Sequence, residues 1–102
     1  MTMLSTKLIF EVEFDERAAS EASARGYLSH VNVEVPSGLR FSVVFYDAVR
    51  LHQDLEDEAK SGTPFISAPG LIVLSEVTKE NMQKATEKLF LEGYFEKFKP
   101  IP

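Results

Sequence analysis

The chain has 102 residues, no cysteine and a formal net charge of −5 at pH 7. That length suffices for a single hydrophobic core, so we expect residues 1–102 to form one domain with flexible ends at 1–6 and 99–102. The composition excludes disulfide scaffolds, thiolate metal sites and cysteine nucleophiles. The negative charge argues against nonspecific binding to nucleic acid or to anionic lipid.

The start of the chain and its apolar runs give an expectation for localisation. Residues 1–10 lack the basic and apolar regions of a signal peptide. No apolar run approaches the roughly 20 residues that span a bilayer. The absence of cysteine is compatible with a reducing compartment. We therefore expect a cytoplasmic protein that does not bind membranes.

The first part of the chain predicts two strands separated by a loop. Residues 7–14 alternate apolar and polar side chains, which predicts a strand with Leu8, Phe10, Val12 and Phe14 facing inward. Residues 15–26 contain no large apolar side chain, which favours a loop with a helical turn over a short helix ending at Gly26. The expected second strand, 27–35, has on one face Tyr27, Ser29, Val31, Val33 and Val35, and on the other Leu28, His30, Asn32 and Glu34.

The central stretch, 39–62, predicts a strand that leads directly into a helix. A Pro-Ser-Gly turn at 36–38 joins the second and third strands as an antiparallel hairpin. At Asp47 the period of two changes to helical spacing, and the carboxylate of Asp47 suits an N-cap. Gly62 supplies the left-handed helix stop. The apolar stripe expected on this helix consists of Ala48, Leu51, Leu55 and Ala59.

The last part of the chain predicts one more strand and one more helix. In the loop at 63–70, Phe65 and Ile66 are expected to be buried, and the apolar run at 71–75 is typical of an interior strand. Thr78 is the expected N-cap of a helix that ends at Gly93, with Val77 packing against Met82. Its buried stripe is Met82, Ala85 and Leu89. The aromatic tail is expected to fold back onto the body through Tyr94, Phe95 and Phe98.

The order strand, loop, strand, strand, helix, strand, helix predicts an α+β fold. The simplest arrangement has two layers, in which a four-stranded, mostly antiparallel sheet packs both helices on one face. The helix between the third and fourth strands is long enough for a crossover, which would be right-handed if those strands are parallel.

Acidic residues are concentrated in the first part of the chain. Residues 1–62 carry 6 Lys and Arg against 11 Asp and Glu, whereas residues 63–102 carry 5 of each. Asp54, Asp57 and Glu58 form an acidic face on the predicted helix, which would attract a basic protein partner. The alternative is a solvated helix face in which Arg50 pairs with Asp54 one turn away.

The sheet face without helices is the other candidate surface. Ile9, Leu28, Val44 and Tyr46 are expected there as an apolar patch, which favours a homodimer. His30, Arg40 and Tyr46 are expected on the same face, where they could line a polar site for a small ligand or a reaction. The alternative is a solvated sheet face with mixed polar residues.

Metal and enzyme chemistry have little support in the sequence. His52 and Glu56 are one helical turn apart, but two ligands do not make a metal site. No phosphate loop, nucleophile elbow or zinc motif is present, and no cofactor is expected.

The leading hypothesis is therefore an acidic protein-interaction module, such as an inhibitor or immunity-type protein that masks a basic partner. The alternatives are a homodimeric structural or regulatory domain and a small-ligand binder or enzyme.

Overall fold

The computed structural model describes residues 5–101, so residues 1–4 and 102, which belong to the predicted flexible ends, lie outside the described part. Its elements in chain order are strand β1 (Lys7–Phe10), helix α1 (Glu16–Arg25), strands β2 (Tyr27–Glu34) and β3 (Arg40–Asp47), helix α2 (Ala48–Lys60), strand β4 (Leu71–Leu74), helix α3 (Lys79–Leu91) and a 3-10 turn (Tyr94–Lys97). Within the described range, no helix combines the length and the apolar character that crossing a bilayer requires.

The four strands form one sheet in the order β1-β2-β3-β4. β1, β2 and β3 pair antiparallel, and β4 runs parallel to β3 after the α2 crossover. The predicted α+β fold with a mostly antiparallel four-stranded sheet is confirmed, although there are three helices rather than two. β4 is an edge strand and not an interior one, since Val73 is 48% exposed while its neighbours Ile72 and Leu74 are buried.

The hydrophobic core lies between one face of the sheet and helices α1 and α3. We call this the core face. The two helices contribute Ala22 and Met82, and the aromatic tail closes the core as predicted, with Phe95 buried at a ring distance of 5.2 Å from Phe41. The other buried core residues are Val31, Val33, Val35, Val43, Phe45, Ile72, Leu74 and Val77.

Residues 15–26 form a helix, so the prediction of a loop with a helical turn was wrong. Asp15 caps α1 by accepting the backbone N–H of Ala18 at 2.9 Å, and Gly26 ends it in the left-handed conformation with its N–H bonded to Ala22. Ala22 is fully buried against the core. This helix lacks a stripe of large apolar residues. It is stabilised instead by caps at both ends and by the small side chain of Ala22, which allows close packing.

β1 is shorter than predicted because the chain bends after Phe10. Val12, expected to face inward, is 70% exposed, so this prediction was wrong. The bend brings Phe14 back towards the core, where its ring stacks on that of Phe10 at 4.4 Å. A bend replaces the strict alternation of a strand, so the inward side chains are no longer two residues apart.

A β-bulge near the start of β2 changes the face of the sheet on which the side chains before the bulge lie. Val31 pairs with Val43 and Leu28 pairs with Phe45, so three steps along β2 match two steps along β3. His30 lies within this bulge and has a positive φ of 60°. Leu28, predicted for the face without helices, therefore packs against the core instead.

The reversal also moves Tyr27, which was predicted to face inward. It pairs with Tyr46, whose side chain points away from the core face, and the two rings meet edge to face at 4.9 Å. Both tyrosines thus belong to the face opposite the core, which we call the second face.

Helix α2 begins and ends where the sequence predicts. Asp47 Oδ1 accepts the backbone N–H of Arg50 at 2.8 Å. At the other end Gly62 has a positive φ of 94°, and the N–H of Thr63 bonds to the carbonyl of Glu58 at 2.9 Å, as in a Schellman motif.

The position of α2 departs from the prediction that both helices share one face. None of its residues is buried, and its polar side chains contact the tyrosines of the second face. The helix therefore partly covers a surface that was expected to be bare. The predicted apolar stripe was therefore wrong as a buried face: Leu51 is half-buried, Leu55 is 36% exposed, and Ala48 and Ala59 are exposed.

Candidate functional site on the second face of the sheet

A polar network joins α2 to the second face. Asp54 accepts a hydrogen bond from the hydroxyl of Tyr46 and another from Nε of Arg50, each at 3.0 Å. The Arg50 guanidinium lies 5.0 Å from the centre of the Tyr27 ring, a cation–π contact. Arg50 thus pairs with Asp54, as the alternative interpretation of the acidic face proposed.

The network changes the acid–base properties of its members. Burial, followed by the hydrogen bond to Asp54 and the negative charge of Asp54, raises the pKa of Tyr46 to about 12. The same carboxylate raises the pKa of Arg50, chiefly through the hydrogen bond between them. Tyr46 therefore stays protonated and donates to Asp54, while Arg50 balances the charge of that carboxylate.

The three residues of the predicted acidic face line one open cavity, which we call the acidic cleft. Its volume is about 540 Å³. Asp57 and Glu58 are exposed, whereas Asp54 is half-buried and held by the polar network. The rest of the lining consists of Tyr46, Thr63, Phe65, Ile66 and Ser67.

Phe65 contributes an exposed ring to the acidic cleft. It was predicted to be buried, but it is 61% exposed, so that prediction was wrong. Ile66 next to it is half-buried and lines the cleft. The loop after α2 runs along the second face and not into the core, which leaves Phe65 beside the carboxylates.

A second cavity of about 350 Å³, the central groove, adjoins the acidic cleft on the second face. His30 lies at its rim, where its Nδ1 is 2.9 Å from the hydroxyl of Ser29. None of the residues that line the central groove is acidic, and none is Lys or Arg. They are Tyr27, Ser29, His30, Ser42, Val43, Val44, Tyr46, Ile66, Ala68, Pro69 and Leu71.

The structure brings together only part of the sheet-face site predicted from the sequence. His30, Val44 and Tyr46 line the central groove, and Ile9 lines a neighbouring cavity of about 440 Å³ that also includes His30. Arg40 lines neither cavity: its Nε pairs with the carboxylate of Glu34 at 3.0 Å. As described above, Leu28 belongs to the core.

The opposite end of the second face carries two lysines that the sequence analysis did not single out. Lys97 and Lys99 line a cavity of about 590 Å³, the basic corner, together with Ser42, Pro69, Phe98 and Ile101. The tail is held here because the N–H of Ile101 donates to the carbonyl of Arg40 at 2.7 Å. The sequence signal that could have revealed these lysines is the pattern Lys97-Phe98-Lys99, because Phe98 packs inward and both lysines then lie at the surface.

Residues 5–101 contain no group of three His, Asp or Glu side chains placed to hold a metal ion. His52 and Glu56, the pair considered for a metal, contact each other one turn apart on α2. Comparison of the chain with family profiles, curated proteins and solved structures gave no match.

Proposed function

We propose that this protein is a protein-interaction module that binds a basic segment of a partner in the acidic cleft. The observation that carries the proposal is the shared position of Asp54, Asp57 and Glu58 around one cavity with the exposed ring of Phe65. An inhibitor or immunity-type protein that masks a basic surface would use such a site.

The carboxylates of the cleft have different roles in this proposal. Arg50 already balances the charge of Asp54. Asp54 therefore forms part of the wall of the cleft and does not attract a partner. Asp57 and Glu58 form no ion pair with any residue in the range 5–101, and both are exposed. These two side chains supply the charge that attracts a cation.

Phe65 adds a short-range contribution to the same interaction. A Lys or Arg side chain over an aromatic ring gains about 0.5–1 kcal/mol at an exposed site, and more where water is excluded. The aliphatic part of the same side chain would cover apolar surface of Phe65 and Ile66. A basic side chain therefore suits both the charge and the apolar wall of the cleft.

The test uses a defined probe, a fluorescein-labelled peptide of alternating Lys and Ala, measured by fluorescence anisotropy over a range of salt concentrations. The Asp57→Asn/Glu58→Gln variant should bind more weakly and with a flatter dependence on salt, because two attracting charges are gone. The control is Glu80→Gln/Glu92→Gln, in α3 and at its C-cap, which changes the net charge equally but lies away from the cleft. Both of these carboxylates pair with lysines of α3.

Two outcomes separate the cleft from the overall charge of the molecule. If both double variants lose the same affinity, the net charge and not the acidic cleft causes binding, and the proposal fails. Phe65→Ala should lower the affinity while leaving the salt dependence unchanged, because it removes a contact and no formal charge.

A second candidate function, small-ligand binding in the central groove, is favoured by the backbone of His30. A non-glycine residue at a φ of 60° is strained, and such residues cluster at functional sites. The lining, which has no Asp, Glu, Lys or Arg, fits a neutral aromatic ligand with hydrogen-bonding groups. Titration with a library of neutral aromatic fragments, followed by amide chemical shifts, tests this function: changes should centre on His30, Ser42 and Tyr46, and their absence would contradict it.

A further inference from the structure

We infer that the basic partner is a second copy of this chain, whose basic corner binds the acidic cleft across a twofold axis. This inference rests on the proposed function, because it names the partner of the same site. The two ends of a single groove carry opposite charges, so the groove is complementary to a second copy of itself.

The acidic cleft and the basic corner lie at opposite ends of a continuous surface. The acidic cleft shares Tyr46 and Ile66 with the central groove. The central groove in turn shares Ser42 and Pro69 with the basic corner. The three cavities therefore follow one another along the second face, with the acidic side chains at one end and the lysines at the other.

Opposite charges at the two ends make this surface complementary to itself. When two copies meet face to face with their grooves antiparallel, Asp57 and Glu58 of one copy meet Lys97 and Lys99 of the other. The twofold axis repeats this contact, so each dimer has two such pairings. This is the isologous arrangement of the commonest homo-oligomers, and it leaves no open end for further association.

The apolar residues of the second face would be covered by the same contact. Val73, Phe65 and Ile101 are 48%, 61% and 38% exposed, and Val44 lies half-buried in the central groove. A stable dimer needs about 800 Å² from each partner. That is about a ninth of the 7016 Å² of accessible surface.

The experiment is a reciprocal charge exchange followed by sedimentation velocity at low ionic strength and by native mass spectrometry. One variant is Asp57→Lys/Glu58→Lys and the other is Lys97→Glu/Lys99→Glu. Each variant alone brings like charges together at both contacts and should be monomeric, with a dimer dissociation constant at least tenfold weaker than that of the wild type. An equimolar mixture restores opposite charges at both contacts and should form the heterodimer.

A matched control and a second variant test where the interface lies. Glu80→Lys/Glu92→Lys, in α3 and at its C-cap, reverses the same number of charges and should remain dimeric. Val44→Lys places a charge in the central groove and should give a monomer whose circular dichroism is unchanged, because Val44 is not part of the core. If the exchanged variants do not fold, this variant still decides whether the groove is the interface.

The outcomes distinguish this inference from the proposed function. A wild-type protein that is monomeric at high micromolar concentration but binds the Lys-Ala peptide overturns the dimer and leaves the acidic cleft as a site for another basic partner. A dimer that persists in both exchanged variants and in Val44→Lys uses a different surface, which also overturns the inference. A dimer that is lost in each exchanged variant and returns in the mixture supports it.

Discussion

The N-cap of α2 gives the sharpest test of how this fold is held together. Asp47 Oδ1 accepts the N–H of Arg50 at 2.8 Å, which satisfies one of the free donors of the first turn. Since α2 has no buried residue, apolar packing contributes less to this helix than to α1 or α3. The cap hydrogen bond is therefore a larger share of what stabilises α2 than it would be in a helix packed on the core.

Replacement of Asp47 by Ala is expected to lower the free energy of unfolding by about 1 kcal/mol, within the range of about 0.5–2 kcal/mol for N-cap removal. For a domain of about 100 residues, 1 kcal/mol corresponds to a decrease in Tm of about 4–8 °C. Thermal unfolding followed by circular dichroism measures this shift, and urea unfolding provides an independent value of the free energy.

Two variants identify the cause of the loss. Asp47→Asn keeps a side-chain oxygen at the cap and should retain most of the stability, because Asn caps helices about as well as Asp. Asp57→Ala, in an exposed position in the last turn of the same helix, should change the free energy of unfolding by less than about 0.5 kcal/mol. If Asp47→Ala and Asp47→Asn are equally destabilised, or if Asp57→Ala matches them, the hydrogen bond at the cap is not what stabilises α2.

Three further predictions concern buried polar groups and the backbone. Thr86→Val removes a fully buried hydroxyl that lies 2.9 Å from the hydroxyl of Thr6, and should lower the free energy of unfolding by about 1–3 kcal/mol in urea. Gly70→Ala should destabilise more than Gly62→Ala: both have a positive φ, but only at Gly70 would the new carbon lie 2.5 Å from a backbone oxygen. Equal losses for the two glycines would contradict the clash. The stability that protonated Tyr46 contributes should be complete below pH 10 and lost as the pH rises through about 12, because its folded pKa exceeds its ordinary value of 10.0. Absorbance titration should show a transition near that pH which Tyr46→Phe removes.

The features that the sequence predicted correctly depend on local chemistry. Asp47 and Thr78 cap their helices with side-chain oxygens, and Gly62 and Gly93 follow their helices at positive φ. Each of these roles is decided within three or four residues, so a single sequence contains the necessary information. The aromatic tail was also predictable, because water disfavours an exposed cluster of large rings.

The features that were missed depend on tertiary contacts. No glycine marks the bulge in β2, where His30, a non-glycine residue, has a positive φ. That single residue reverses Tyr27 and Leu28 between the faces. Helix α1 was missed for a related reason: Ala22 is small, and its burial is apparent only once the sheet that it packs against is in place.

The candidate site shows the same division between local and tertiary information. The acidic face of α2 could be predicted because Asp54, Asp57 and Glu58 are close in the sequence. The side chains that turn this face into a cleft could not, because Phe65 lies in a loop and Tyr46 reaches Asp54 only when α2 crosses the second face. The basic corner depends on the tail joining the edge of β3, which helical or strand periodicity does not reveal.

The position of α2 connects the stability of the fold to the proposed binding site. A ligand that binds only the folded helix stabilises it by mass action, by about 2.7 kcal/mol at a hundred times its dissociation constant. Since no residue of α2 is fully buried, a partner in the acidic cleft would, under the proposed function, supply contacts that the core does not. The Asp47→Ala variant should therefore regain Tm when the partner binds. Thr86→Val loses a hydrogen bond in the core between α3 and Thr6, so its increase in Tm should be no larger than that of the wild type. A larger increase in Tm for Asp47→Ala than for the wild type and Thr86→Val would indicate that α2 opens locally and that binding closes it. Equal gains in all three proteins would show that α2 unfolds only together with the rest of the domain.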